Sequence, residues 1–458
     1  MAGIGFALRK LTRRNTLTGL FQAYAYAGII SSGPWILSIL GILVIGLMSA
    51  TVVVPQVLIT HFQVSVTYLI ACSLILTGLV QLAFTRFVAD RTFEKRESLI
   101  LPNFVAITLV VTVVGGVVGM FVVLVLFRGL ALYYRLMMLA GFVILCNIWI
   151  TTIFLSSIKQ YRAVVLLYLG GYTVSVVAAL ALRGQGLHGL LTGFVIGQAV
   201  LLVGSVAIIL RNYPPSDRLM SFEVLDKKLI FPSLIWTGLF YNLGVWIDKF
   251  MFWFRDETGH AVIGPLRASL IYDLPIFLAY LSIIPGMAIF LVRLETDFVE
   301  HYDAFYTAVR EGGSLGVIEQ HRNGMVESVR LGLFDIVKVQ TVTTLVLLLV
   351  GPALLRAMGI TDLYLPLLLI DTIGAGLQVV LLGLMNVFFY LDKRAIVLSL
   401  TALFCVLNVV FTAMTLMLGP SWYGYGFTVA VLVTIVVGLA ILDRKLDRLE
   451  YETFMLQH

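Results

Sequence analysis

The residues whose types and spacing suit chemistry are charged and amide side chains buried in apolar sequence. Asp371 lies about two turns into one long apolar run, with Gln378 and Asn386 following it. Seven-residue spacing puts Asp371 and Gln378 on one helix face. Asp248 with Lys249, Asp273, and Asp335 with Lys338 lie near the ends of other apolar runs. Each such group is expensive inside a bilayer and calls for a partner or an aqueous cavity. Two kinds of chemistry fit the set. One is a proton or cation relay through Asp248, Asp273 or Asp371. The other is structural pairing, with Lys249 salt-bridged to Asp371 or Asp273. Asp248 and Lys249 are adjacent and point about 100° apart on a helix, so each is expected to find its main partner elsewhere.

Aromatic and amide groups offer a second chemistry, the binding of sugar rings through flat apolar faces and of hydroxyls through amides. Tyr24 and Tyr26 lead into Ser31-Ser32-Gly33-Pro34-Trp35, and Trp236, Tyr241, Asn242, Trp246 and Trp253 crowd another run. Trp and Tyr also concentrate at membrane interfaces. That reading is preferred for Trp253, while Trp35 and Trp236 admit either a lumen or an interface. The Ser-Ser-Gly-Pro-Trp segment breaks a helix inside hydrocarbon, where freed backbone groups must be met by protein or by a water-filled cavity.

Catalytic signals are missing. There is no Gly-x-x-x-x-Gly-Lys-Ser/Thr phosphate loop and no Asp-x-Asp pair, and all six histidines fall in loops or near the ends of apolar runs. Cys72, Cys146 and Cys405 share no metal-ligand spacing. The chain is therefore read as a non-enzyme with no catalytic residues, no metal and no cofactor.

The elements that must position these residues follow from composition. The 458 residues are 60% hydrophobic and 12% charged, with mean hydropathy +1.01, the profile of a membrane protein. Low-charge stretches at 18–48, 62–85, 101–127, 132–157, 163–182, 186–210, 229–254, 268–292, 331–355, 363–390, 395–419 and 422–442 predict twelve spans. Of 31 Lys and Arg residues, 23 lie in the amino terminus, the loops on its side and the carboxyl tail, against six in the opposite loops. The positive-inside rule then places both termini in the cytoplasm. The net charge of +6 disappears into those loops, which excludes a nucleic-acid surface.

The expected organisation is a cytoplasmic interfacial helix over 1–17, an N-lobe over 18–210, a linker over 211–228, a C-lobe over 229–442 and a cytoplasmic tail over 443–458. Phe231-Pro232-Ser233 opens the seventh span and is read either as a second break matching the first or as a proline of the kind common in membrane helices. Gly189, Gly193 and Gly197 form a small-residue stripe for close packing within a lobe. The cytoplasmic loop 293–330 carries Phe298, Tyr302, Phe305 and Val309 at helical spacing before Gly312-Gly313-Ser314, a helical hairpin that either docks a partner or packs on the body's own helix ends.

The segments Met1-Ala2-Gly3-Ile4-Gly5-Phe6, Leu8-Arg9-Lys10-Leu11, Gln22 to Trp35, and Tyr241-Asn242-Leu243-Gly244-x-Trp246-x-Asp248-Lys249 resemble the PelG family of inner-membrane exopolysaccharide transporters, along the whole chain. That family sits in the flippase superfamily with the multidrug and toxin exporters. The resemblance implies an all-α integral membrane protein of about twelve helices, in two six-helix lobes around a central cavity. It further implies export of a polysaccharide rich in N-acetylgalactosamine and N-acetylglucosamine for a biofilm matrix, with a cytoplasmic glycosyltransferase and membrane accessory proteins as partners. The rival readings are an ion-coupled flippase for lipid-linked oligosaccharides or drugs, and a scaffold or intramembrane transferase of glycan synthesis.

Overall fold

The computed structural model describes residues 17–157, 161–213, 218–226, 229–357 and 361–455. The interfacial helix expected before Leu17, and residues 214–217 and 227–228 of the expected linker, lie outside the described residues. The helices are α1 (Leu17–Ser49), α2 (Val57–Phe93), α3 (Ile100–Val125), α4 (Leu132–Ser157), α5 (Tyr161–Leu182), α6 (Leu187–Asn212) and α7 (Pro232–Phe254). A short antiparallel hairpin, β1 (His260–Ile263) with β2 (Leu266–Ala268), interrupts the otherwise helical chain. Then come α8 (Leu270–Leu281), α9 (Ile284–Val292), a π-helical segment (Arg293–Phe298), α10 (Val299–Arg310), α11 (Leu315–Ala357), α12 (Leu365–Tyr390), α13 (Arg394–Leu418), α14 (Tyr425–Asp447) and α15 (Leu449–Met455).

Among the described residues ten helices are long and apolar enough to cross a membrane, and α1, bent by 63° between Gln22–Pro34 and Ile36–Ser49, makes an eleventh. The twelfth expected span is α7. Its 23 residues have the length of a span, but Asn242, Asp248 and Lys249 leave it short of the apolarity. The two expected breaks also part company. Pro34 lies inside α1 at its bend, whereas Pro232 occupies the start of α7, a position where its missing N–H costs nothing. No matching interruption exists inside α7.

Packing divides the chain into two compact units, Met1–Ser32 with Ile271–His458, and Gly33–Leu270. The sequence placed its division within 211–228. The packing places α7 with the helices before it, and puts one boundary inside the Ser-Ser-Gly-Pro-Trp break. Backbone approach explains both. A Cβ at Gly238 on α7 would collide with the Gly78 carbonyl of α2, so only glycine lets these helices touch. In the other unit Gly28, in the first half of α1, lies against Ala288 and Ile284 of α9.

The Gly189/Gly193/Gly197 stripe of α6 packs on α5, as its spacing predicts: a Cβ at Gly193 would meet the backbone of Ala179, and one at Gly197 would meet Ser175 and the Gly171 carbonyl. Gly197→Val is therefore expected to cost ~1–3 kcal/mol or more by overpacking. It should sharply reduce the monodisperse peak in detergent size-exclusion chromatography, while Gly116→Ala, which meets nothing within 4 Å, leaves it intact.

The expected cytoplasmic loop 293–330 is mostly the continuation of two spans. At 1.5 Å per residue, the 41 residues of Leu270–Arg310 and the 42 of Leu315–Arg356 each far exceed the ~20 a bilayer needs. They continue as a helical hairpin turned at residues 311–314, where Gly312 adopts a φ of +71°. Phe298 and Phe305 are fully buried on its inner face, and the Tyr302 ring packs at a tilt against Tyr306 and Tyr390.

Candidate functional site

In the unit Met1–Ser32 with Ile271–His458, a buried polar seam runs down α12. At one end Asp371 is fully buried, and Gly424, with φ +85°, caps the amino terminus of α14. A Cβ on Gly424 would come within 2.8 Å of Asp371 Oδ1. The carboxylate thus sits at a helix amino terminus, where the macrodipole favours an anion. Midway, Gln378 Oε1 accepts the Tyr280 hydroxyl proton at 3.1 Å, and at the far end Asn386 Nδ2 donates to Glu295 Oε1 at 2.9 Å. Tyr390 O–H donates to Glu295 Oε2 at 2.8 Å.

Glu295 is 4% exposed and lies in the π-helical segment, a geometry that recurs at functional sites. Arg293 and Asp297 flank it in sequence. Arg293 bonds Asp297 and Asp335, each at 2.9 Å, and Lys338 reaches Asp335 at 3.3 Å. Tyr24 lies within electrostatic reach of Arg293, Asp297 and Asp335. Sequence reasoning missed Glu295 and Arg293 because it took residue 293 as the start of a loop, and missed Tyr280 and Tyr390 because nothing in their spacing links them to Gln378 of α12 or to Glu295. The aromatic periodicity of Phe298, Tyr302 and Phe305, extended backwards, would have kept Glu295 on a buried helix face.

The break itself is met locally. Ser31 Oγ donates to the Ala27 carbonyl at 2.8 Å, with Ser32 Oγ 3.4 Å away, and back-bonding of this kind accompanies helix bending. Ser32 is buried, and Tyr24, Tyr26 and Ser31 are half-buried. Asp273 is half-buried in the first turn of α8.

The Gly33–Leu270 unit holds the remaining candidates. Of Trp35 only the backbone is described. On α7, Asp248 and Lys249 are 0% and 4% exposed, and Lys249 Nζ lies 3.1 Å from Asp248 Oδ2. The expectation that these neighbours would point apart is corrected: the four-carbon stem of Lys249 swings the ammonium back, where it also donates to the Val245 carbonyl at 2.8 Å. Lys249 lies 5.9 Å from the Trp246 ring, within cation–π range. Trp253, expected at the membrane interface, is instead buried and stacked on Tyr68 at 4.6 Å. Trp236 is half exposed and stacks on Phe240 at 6.1 Å. Tyr241 and Asn242 are half-buried, Asn242 beside the Gly78–Gly238 crossing.

Within the tail expected over 443–458, α14 continues to Asp447 and α15 spans Leu449–Met455. α15 is pinned by Arg322–Glu450 at 3.3 Å to the long helix α11, and by Glu452, which accepts bonds from Lys393 and Lys445. The hairpin thus packs on the body's own carboxyl-terminal helix. Burial alone would raise the Glu452 carboxyl, but the bonds and charges of Lys393 and Lys445 outweigh it and hold the group below the usual range. A depressed folded-state value stabilises above the unfolded pKa of ~4.3 and ceases to do so as pH falls through the folded value. Limited proteolysis is expected to leave residues 449–455 protected at pH 7 and to release them only in acid, below the ordinary glutamate range. Glu452→Gln should release them at pH 7.

Among the described residues no group of three or more His, Cys, Asp or Glu side chains is placed to hold a metal. The arrangement offers buried polar and ionic groups along membrane helices, the equipment of a transporter. Solved structures agree on the fold. An outward-facing multidrug resistance transporter of the MATE family, in the MOP superfamily, matches with TM-score 0.63 at 15% identity over 93% of this chain and 96% of that one. A MATE protein in complex with MaL6 gives 0.62 at 13% identity, and a MOP superfamily transporter from Pyrococcus furiosus gives 0.59 at 13%, both over the same shares. The fold is that of a multi-pass MATE-type transporter. No curated protein matches the chain by sequence. The model of the PelG exopolysaccharide exporter (EPS-E) family matches residues 1–454, and the chain belongs to that family.

Proposed function

We propose that this protein carries a nascent amino-sugar exopolysaccharide, rich in N-acetylgalactosamine and N-acetylglucosamine, from the cytoplasm across the bacterial inner membrane to the periplasm for a biofilm matrix. Both termini face the cytoplasm, and a cytoplasmic glycosyltransferase with membrane accessory proteins delivers the chain. The observation that carries this reading is the match of one exporter family to residues 1–454. Tyr24, Tyr26, Tyr241, Asn242 and the half-exposed Trp236 supply ring faces and an amide of the kind sugars require, whereas Trp246, expected on the path, is only 4% exposed and packs in the core. An ion-coupled flippase or drug exporter is the second reading, favoured by the buried carboxylates Asp248, Glu295 and Asp371 on a MATE-type fold.

Inverted membrane vesicles carrying the protein, its synthase and the accessory proteins test the proposal. Newly made polymer should become resistant to an externally added glycoside hydrolase. Active synthesis with all polymer still digestible would sink it. Full secretion from a variant with Asn at Asp248, Asp273 and Asp371 together, normalised to folded protein, would exclude an essential ion relay through those groups and favour a drive from polymerisation itself.

A further inference from the structure

Within the Gly33–Leu270 unit a cavity of about 580 Å³ opens among α2, α3, α4, α7 and the β-hairpin. That volume is in the range of small-ligand sites, ~300–1,000 Å³. Its lining is apolar throughout, from fully interior residues such as Leu69 and Met138 to Val118, Leu126 and Phe254 at its edge, which are exposed. Around it α3 shows a run of exposed apolar side chains, including Val113, Val117 and Phe121, the surface a helix presents to hydrocarbon. Its apolar lining offers water no hydrogen-bond partners, and its exposed apolar edge opens to the medium at that depth, so an apolar occupant suits it.

A cation stands at the same end. Arg128 follows the lining residues Leu126 and Phe127 directly. Its Nε donates to the Leu124 carbonyl at 2.9 Å, and the side chain is exposed. In the proposed orientation this is the periplasmic side of the membrane.

We propose that the cavity is a phospholipid site, in which an acyl chain of a lipid from the outer leaflet fills the apolar space while Arg128 meets the lipid phosphate. A single guanidinium at the rim favours an anionic headgroup over a zwitterionic one. The bound lipid completes the packing of α2, α3, α4 and α7, and resists detergent exchange where lipids around the rest of the protein do not.

The test uses the full-length protein, taken from nanodiscs of phosphatidylglycerol or of phosphatidylcholine into detergent and examined by native mass spectrometry. One phosphatidylglycerol per chain should survive. Leu76→Trp, which fills the cavity from α2, should lower occupancy at least about tenfold, and Arg128→Gln should remove the headgroup preference, about three- to tenfold. Cys72 lines the same cavity and gives a readout on the unmutated fold. Its alkylation by N-ethylmaleimide, assigned by its loss in Cys72→Ala, should slow at least about tenfold when phosphatidylglycerol is restored to delipidated protein. Absence of retained lipid, equal retention in Leu76→Trp, or Cys72 alkylation indifferent to lipid would each overturn the proposal.

Discussion

Asp248→Ala is expected to cost about 3–5 kcal/mol, because it removes the carboxylate 3.1 Å from the buried Lys249 ammonium and leaves that charge uncompensated by it. Lys249→Met should cost a similar amount by removing the ammonium beside the buried carboxylate. The double variant Asp248→Asn with Lys249→Met removes both charges and should be more stable than either single change, since replacing a whole buried pair is far cheaper than halving it. Thermal unfolding of the three proteins in detergent measures this. A double variant as unstable as the sum of the singles would show that the two charges do not act as a pair. Transport measured on the stable double variant then separates roles: retained export makes the pair a structural element, and lost export in folded protein gives it a part in the transport cycle.

Glu295 yields the second large effect. Glu295→Ala leaves the Asn386 amide and the Tyr390 hydroxyl without their buried acceptor, at about 1–3 kcal/mol for each orphaned donor, and also opens a cavity beside the π-helical segment. A fall in melting temperature and loss of secreted polymer should follow together. Glu295→Gln keeps the shape: its carbonyl still accepts from Asn386, and its amide nitrogen donates to the Tyr390 oxygen. That protein should stay within about 1 kcal/mol of the parent. If folded Glu295→Gln exports polymer normally, the carboxylate is a polar clasp between α12 and the π-helical segment. If it folds and fails to export, the charge or the proton of Glu295 is required.

The sequence was most legible where small residues or apolar length leave little choice. The Gly189/Gly193/Gly197 stripe packs as its spacing predicts, Pro34 bends α1, and the Gly312 turn closes the hairpin. It was least legible where side-chain reach decides. Periodicity treats residues as short spokes, so it separated Asp248 from Lys249, although a flexible stem brings them together. Charge density ended the eighth span at Arg293 and so hid Glu295, which the π-helical segment turns inward beside Asn386. The candidates on α12 were correctly grouped, but their partners Tyr280, Glu295 and Tyr390 come from segments distant in sequence, and no spacing rule reaches across that distance. Chain order also suggested that α7 begins a new unit, whereas the Gly78–Gly238 contact, invisible in either helix alone, binds it to the preceding helices.

The boundary between Ser32 and Gly33 has a consequence for the order in which the molecule is made. The first half of α1 is synthesised before every other helix of the fold, yet its unit is completed only by residues from Ile271 onward. At ~5–20 residues per second, the intervening stretch Gly33–Leu270 keeps that half-helix waiting for roughly ten to fifty seconds. During that interval Tyr24, Tyr26, Ser31 and Ser32 lack the residues from Ile271 onward that complete their unit. The order of synthesis thus separates this early segment from the late helices it packs with by the whole Gly33–Leu270 stretch.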